Sequence, residues 1–440
     1  MKTIKNILRT PELVKKIGFT LFIIVLYRLG VAIPTPGADL IALEGLNNAP
    51  ASPNGLGASL SLLSSVGAGA SIFALGVIPY ITASIMMQIL TIAIPKLEEW
   101  QAQGAVGQRK INQWTRYVAL GLAFGQGIAV IIGMNNNVFG PQFGGIFDDT
   151  RSIILGVFAM VVGTAIIMWL AELNTQRGIG NGMSVIIFAS VVASIPSIGD
   201  TLLTAQGSFP LILAIFLLVA LIVAIVFIEN GLRKIPVHYA KRVVGRKEYR
   251  GNRNFIPLKV NQAGVIPVIF ASSLIIAPTF IVNLLPAGPI NDPNFFNSIQ
   301  DFFVNDFGPT NVWYNLFFGL LIIGFAYFYN AIQFDPARKA DELNKSGGFI
   351  PGVRPGPQTD RYLSRILNRI TLPGSIFLAA VALIPTILIT LALGDQHQGG
   401  NIGLASFGGI SILIGVGVSL EMMKQINAQL LARNYEGFLK

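Results

Sequence analysis

The sequence predicts an all-α integral membrane protein with ten transmembrane helices, and three observations carry that expectation. Hydrophobic residues make up 52% of the 440 and charged residues only 12%, where soluble domains average about 25% charged. Ten apolar stretches recur along the chain, close to the roughly 20 residues that a helix needs to cross the bilayer core. Of the 31 Lys and Arg residues, 29 fall in alternate connections between those stretches.

The stretches lie at about 18–33, 71–94, 117–134, 152–170, 182–199, 210–228, 263–284, 313–331, 372–393 and 402–422. Lipid offers nothing to backbone N–H and C=O groups, so segments of this length satisfy them internally as helices, and the alternation of barrel strands is missing. The amino-terminal positive charges precede the first stretch without a small-residue cleavage site, which predicts a retained segment at 1–17 rather than a removed signal peptide. Placing that segment inside puts the connections 95–116, 171–181, 229–262 and 332–371 and the tail 423–440 on the same side. They hold every Lys and Arg except Arg28, within the first span, and Arg151, at the outer edge of the fourth. The positive-inside rule then places both termini in the cytoplasm. The net charge of +10 becomes a property of one face, suited to anionic lipid and acidic partners.

Two basic connections are too long for minimal turns. One runs from Arg233 through Arg246 and Lys247 to Lys259; the other runs from Arg338 to Arg369 and holds Val353-Arg354-Pro355-Gly356-Pro357. Prolines fix the backbone and remove donors, so Arg354 is presented on a stiff tip. A solvated topology anchor and a docking surface both fit such loops. On the other side, no charged residue occurs between Glu44 and Lys96, a stretch far longer than one span. Its earlier part, rich in Ser and Gly, includes Leu60, Ser61, Leu62, Leu63, Ser64, Ser65 and Val66. It would partition poorly into lipid, and non-spanning backbone at membrane depth is tolerated only inside protein or along a cavity. A re-entrant helix filling a cavity and an interfacial loop are the two readings.

Chemistry is excluded more readily than found. There is no cysteine, and the two histidines, His238 and His397, lie far apart, so metal and thiol chemistry have no foothold and no cofactor is implied. Ionisable groups inside a membrane mark ion pathways, and Arg28 is the one clear mid-span charge. We expect Arg28 to pair inside the bundle or to snorkel outward. Arg177-Gly178-Ile179-Gly180-Asn181-Gly182 lacks the strand and lysine of a phosphate loop and reads as a tight turn before the fifth span. A coupled transporter would need functional mid-span charges and matching broken spans, and an intramembrane enzyme a polar pair at depth; neither pattern stands out.

Specific strings go further. Residues 71–85 (SIFALGVIPYITASI), 177–182, Asn261-Gln262-Ala263-Gly264-Val265-Ile266-Pro267, Ile269-Phe270-Ala271-Ser272-Ser273 and 348–356 (GFIPGVRPG) resemble, in order, signatures of the bacterial SecY family. The resemblance implies two inverted five-helix halves, 18–200 and 201–422, around an hourglass pore. It further implies a pore ring of Val77, Ile81, Met183, Ile187, Ile269 and Ile414 and a plug within 57–67. Thr82, Gln126 and Asn261 match the polar contacts of a lateral gate. The 4-residue spacings of Val77 with Ile81 and of Met183 with Ile187 let each pair share a helix face, which apolar core packing does equally. Met183 departs from the β-branched aliphatic of many relatives, and its flexible thioether would make a more compliant seal. Implied partners are SecE-like and SecG-like membrane subunits, a SecA motor ATPase or ribosome at the cytoplasmic loops near Arg246, Lys247 and Arg354, and signal sequences and unfolded polypeptides. The implied setting is a bacterial cytoplasmic membrane.

Overall fold

A computed structural model describes residues 11–38, 71–135, 147, 149–193, 208–239, 242–244, 247–249, 253–283, 311–393 and 402–436. Each of the ten apolar stretches carries a helix among them. In chain order these are α1 (Pro11–Ala32), α2 (Ile78–Ala93), then the short α3 (Pro95–Ala102), α4 (Ala105–Asn135), α5 (Thr150–Arg177) and α6 (Gly182–Ala193). They continue with α7 (Ser208–Glu229), α8 (Ile266–Asn283), α9 (Val312–Gln333), the polar α10 (Pro336–Lys345), α11 (Pro357–Leu393) and α12 (Ile402–Glu436). Among the described residues, four stretches are long and apolar enough to cross a membrane alone: Ala105–Ile132, Thr150–Arg177, Val312–Lys345 and Pro357–Pro385.

Burial divides each helix by face. On α1, Ile23, Tyr27 and Val31 recur at 4-residue steps and point inward, whereas Leu21, Phe22, Val25 and Leu29 are exposed. Apolar residues on both faces belong to a helix whose outer solvent is lipid. Arg28 is exposed on α1, so of the two expectations for it the outward one holds. Helix α2 ends at Ile94, whose extended backbone precedes Pro95, because a residue before proline is pushed out of the helical region. The chain turns by 100° into α3.

Helix packing follows the chain in two groups. In the first, α4 packs on α2, α3 and α5, and α5 on α1; in the second, α11 packs on α7, α9, α10 and α12, with α8 on α9 and α7 on α12. The groups meet where α8 lies against α2 and α4. A buried hydrogen bond ties α9 to α11, Asn330 Nδ2 donating to Thr371 Oγ1 at 2.8 Å.

The expectation of an all-α chain needs correction. Between α7 and α8 run β1 (Leu232–Tyr239), β2 (Arg242–Val244), β3 (Lys247–Tyr249) and β4 (Arg253–Lys259), and β5 (Gly348–Phe349) follows α10. The order is β4-β1-β5, with β2 and β3 a separate antiparallel pair. In β1, Ile235 and Val237 are buried and their neighbours are not, the period of two expected of a strand with one covered face. Ile235, Val237 and Leu258 form a core with Phe334, Ile350, Leu363, Ile366 and Leu367, so the two long basic connections fold together on the start of α11.

Candidate functional site

The side chains expected in the pore ring come together. Val77 caps the start of α2, Ile81 follows one turn later, Ile269 lies on α8 and Ile414 on α12, and all four are buried in one apolar cluster against which Met183 and Ile187 of α6 pack. Segments far apart in sequence thus contribute aliphatic groups to one place. The cluster also holds Ile186, Ala189 and Val418, which the resemblance did not single out. They continue the same faces of α6 and α12, at spacings an apolar helix does not distinguish from ordinary packing.

The polar candidates do not share partners. Thr82 Oγ1 donates to Ile78 O of its own helix at 3.0 Å. Asn261 Nδ2 donates to Glu229 Oε2 at the end of α7, at 3.0 Å, and to Gly264 O at 3.1 Å. Gln126 Oε1 is buried without a partner, as are Gln262 Oε1 and Ser273 Oγ. Buried polar atoms of this kind are costly to leave unpaired, and Gln126 and Ser273 lie on α4 and α8, the helices that meet where the two groups join.

The turn after α5 is a junction. Ile179 N–H donates to Thr20 Oγ1 on α1 at 3.0 Å, Gly182 N–H to Thr175 Oγ1 on α5 at 2.8 Å, and Gly180 N–H to Gln425 Oε1 on α12 at 2.9 Å. Gly180 has φ +83°, a left-handed conformation that glycine adopts without strain. A Cβ on Gly182 would stand 1.7 Å from Ala171 O, so the turn packs against α5 as only glycine permits. Asn181 Oδ1 accepts from Met183 N–H at 3.1 Å and caps the helix that carries Met183 and Ile187. Nearby, Arg116 of α4 forms an ion pair with Glu172 of α5.

Arg354 is exposed on a tip whose backbone is pinned. Its carbonyl accepts from the buried Thr359 Oγ1 at 3.0 Å, Val353 N–H donates to Ile350 O at 3.1 Å, and Gly352 and Gly356 take φ +82° and +98°. Lys247 belongs to β3, opposite Val244. Arg246 and the expected plug residues Leu60 to Val66 lie outside the described residues. The ends of that unassigned stretch are fixed, however: Ile72 N–H donates to Ile33 O at 3.1 Å and Pro34 pairs with Ser71. The chain therefore leaves and returns at one end of α1. Among the described residues there is no cluster of metal-ligating side chains.

Comparison with known proteins agrees with this arrangement. The SecY family model matches residues 71–423. The protein translocase subunit SecY of Mycobacterium bovis is 44% identical over 443 residues, covering 98% of each chain. Among solved structures, a SecY protein whose plug domain stabilises the closed translocation channel is similar at TM-score 0.58 and 18% identity, over 94% of this chain and 92% of that one. Sec61 of a canine ribosome–channel complex from the endoplasmic reticulum is similar at TM-score 0.56 and 16% identity, over 94% and 92%. With the family model spanning most of the chain and a relative this close over nearly its full length, the chain belongs to the SecY family.

Proposed function

We propose that this chain is the central channel subunit of a Sec translocon in a bacterial cytoplasmic membrane. It is a channel subunit and not an enzyme: it passes unfolded secretory polypeptides across the bilayer and releases signal sequences and transmembrane segments sideways through a lateral gate. Ten spans would form two inverted halves around an hourglass pore, with both termini cytoplasmic. The observation that carries the reading is the apolar cluster of Val77, Ile81, Ile269 and Ile414 with Met183 and Ile187 against it. A ring of aliphatic side chains excludes water and ions by dewetting, yet holds no polar group that would bind one passing sequence over another.

Two further features support the details. The chain before and after 39–70 meets at one end of α1, at Pro34 and Ser71, which suits a plug within 57–67 including Leu60 to Val66. The contact of α8 with α2 and α4 is where a lateral gate would lie, near Thr82, Gln126 and Asn261. Thr82 and Asn261 find their partners on their own helix and beside α7, so neither would hold the gate shut against an apolar signal helix. SecE-like and SecG-like subunits would flank the helices, and a SecA motor or ribosome would dock at the basic connections around Arg246, Lys247 and Arg354, with anionic lipid on the same face.

Reconstitution into proteoliposomes with the membrane partners, a motor ATPase and a secretory precursor tests the reading: the precursor becomes protease-protected only when motor and nucleotide are present. Deleting Leu60 to Val66 should leave the helices inserted and make the resting channel leak ions. Absence of protected precursor, or solute uptake without it, would favour a small-solute carrier.

A further inference from the structure

Among the described residues the first five spans meet the last five at several places. Where α8 meets α2 and α4, the helices carry buried oxygens with no partner, Gln126 Oε1 on α4 and Ser273 Oγ on α8, with Gln262 Oε1 just before α8. At the turn between α5 and α6 one buried oxygen is likewise without a partner, Asn174 Oδ1, but a polar contact crosses between the groups: Gly180 N–H donates to Gln425 Oε1 across 245 residues of sequence at 2.9 Å. The neighbouring N–H groups of Ile179 and Gly182 find Thr20 and Thr175 inside the first group of helices, so Gln425 is the acceptor that reaches the turn from the second. Apolar contact reinforces it. A Cβ on Gly180 would stand 3.2 Å from Met422 Cγ and 3.5 Å from Val185 Cγ2, so side chains of α12 and α6 close over the turn from both sides. Ile414, Val418 and Met422 follow each other at 4-residue steps along α12, all in or against the ring cluster, with Gln425 three residues on. They therefore share one helix face.

Resting on the channel reading above, we infer that the Gly180–Gln425 contact is the fixed joint between the two groups of helices, and that Gln425 is a positioning residue. It holds the start of α6, and with it Met183 and Ile187, in register with Ile414 on α12. Breaking the contact would strand the Gly180 N–H.

The chain has no cysteine, so a Val185→Cys/Met422→Cys pair supplies its only two thiols. In proteoliposomes with the motor and a secretory precursor, the oxidised pair should transport precursor as well as its reduced form does. Transport lost on oxidation and regained with reductant would overturn the joint. A parent chain that moves no precursor at all would instead remove the channel reading on which the joint rests. The second arm reads the seal. Gln425→Leu keeps the bulk and loses the acceptor, and should raise resting ion leak on the order of tenfold, whereas Gln425→Glu, which still accepts from Gly180 N–H, should restore the parental leak. Equal leak from the two variants, or no leak from Gln425→Leu, contradicts the positioning role.

Discussion

Single side chains in this protein divide into those that fit by shape and those that act by charge. The aliphatic side chains proposed for the pore ring belong to the first kind. Ile81, Ile269 and Ile414 are buried with Ile187 against them, and on the proposed reading replacing Ile81 and Ile269 together by Asn puts amide dipoles where dewetting would depend on their absence. The double variant should conduct ions at rest in planar bilayers and accept precursors with defective signal sequences; an unchanged resting conductance would remove these residues from the seal. Arg354 belongs to the second kind. It is exposed, so its replacement should change stability by no more than about 0.5 kcal/mol. Its guanidinium can still make a bidentate contact that lysine cannot copy, and the Thr359 hydroxyl on its carbonyl holds the tip that presents it. We expect Arg354→Glu to abolish motor-driven translocation and Arg354→Lys to impair it, with both variants inserting like the parent. Full activity of Arg354→Glu at matched channel content would leave the tip as a topology anchor only.

At the scale of elements, legibility followed the strength of the periodic signal. Helices in the apolar stretches were readable because lipid demands long apolar runs, and their bounds drifted where helices continue into polar sequence: α11 begins at Pro357, and α12 runs to Glu436. The strands escaped because β1 and β4 are short and basic, with Pro236 and Pro257 inside them, residues that ordinarily argue against a strand. The alternation of Ile235 and Val237 was the available signal, too brief to outweigh the charge around it. Of the candidate site, the ring emerged from resemblance rather than spacing, and the Gly180–Gln425 contact had no signal, since nothing in the sequence marks a pairing at that separation. The sheet also makes a prediction of its own. Leu258 is fully buried in the small core with Leu363, and Leu258→Ala should cost about 2–5 kcal/mol there. Hydrogen exchange should quicken across 232–259 and 348–349 while α4 and α5 keep their protection. Exchange unchanged in the strands would mean that this core does not hold the sheet.

For the whole molecule the governing asymmetry is electrostatic, and the structure joins what the charge count only aligned. Pairing of β1 with β5 puts the two long basic connections on one side. The Arg116–Glu172 pair places the start of α4 and the end of α5 together, and Gly180 with Gln425 brings the α5–α6 turn to the far part of α12. At the opposite end of α1, Pro34 meets Ser71. These contacts are the ones an alternating chain requires if the basic connections share a face, and the positive-inside rule assigns that face to the cytoplasm. Arg151, exposed at the start of α5, should then lie outside, and Phe255, exposed on β4, inside. Because the chain lacks cysteine, Arg151→Cys and Phe255→Cys each provide a single thiol. A membrane-impermeant maleimide added to intact cells should label the first, and should label the second only after permeabilisation. Labelling in the reverse order would invert the molecule in the bilayer. It would also put Arg354, on the tip that follows β5, out of reach of any cytoplasmic motor.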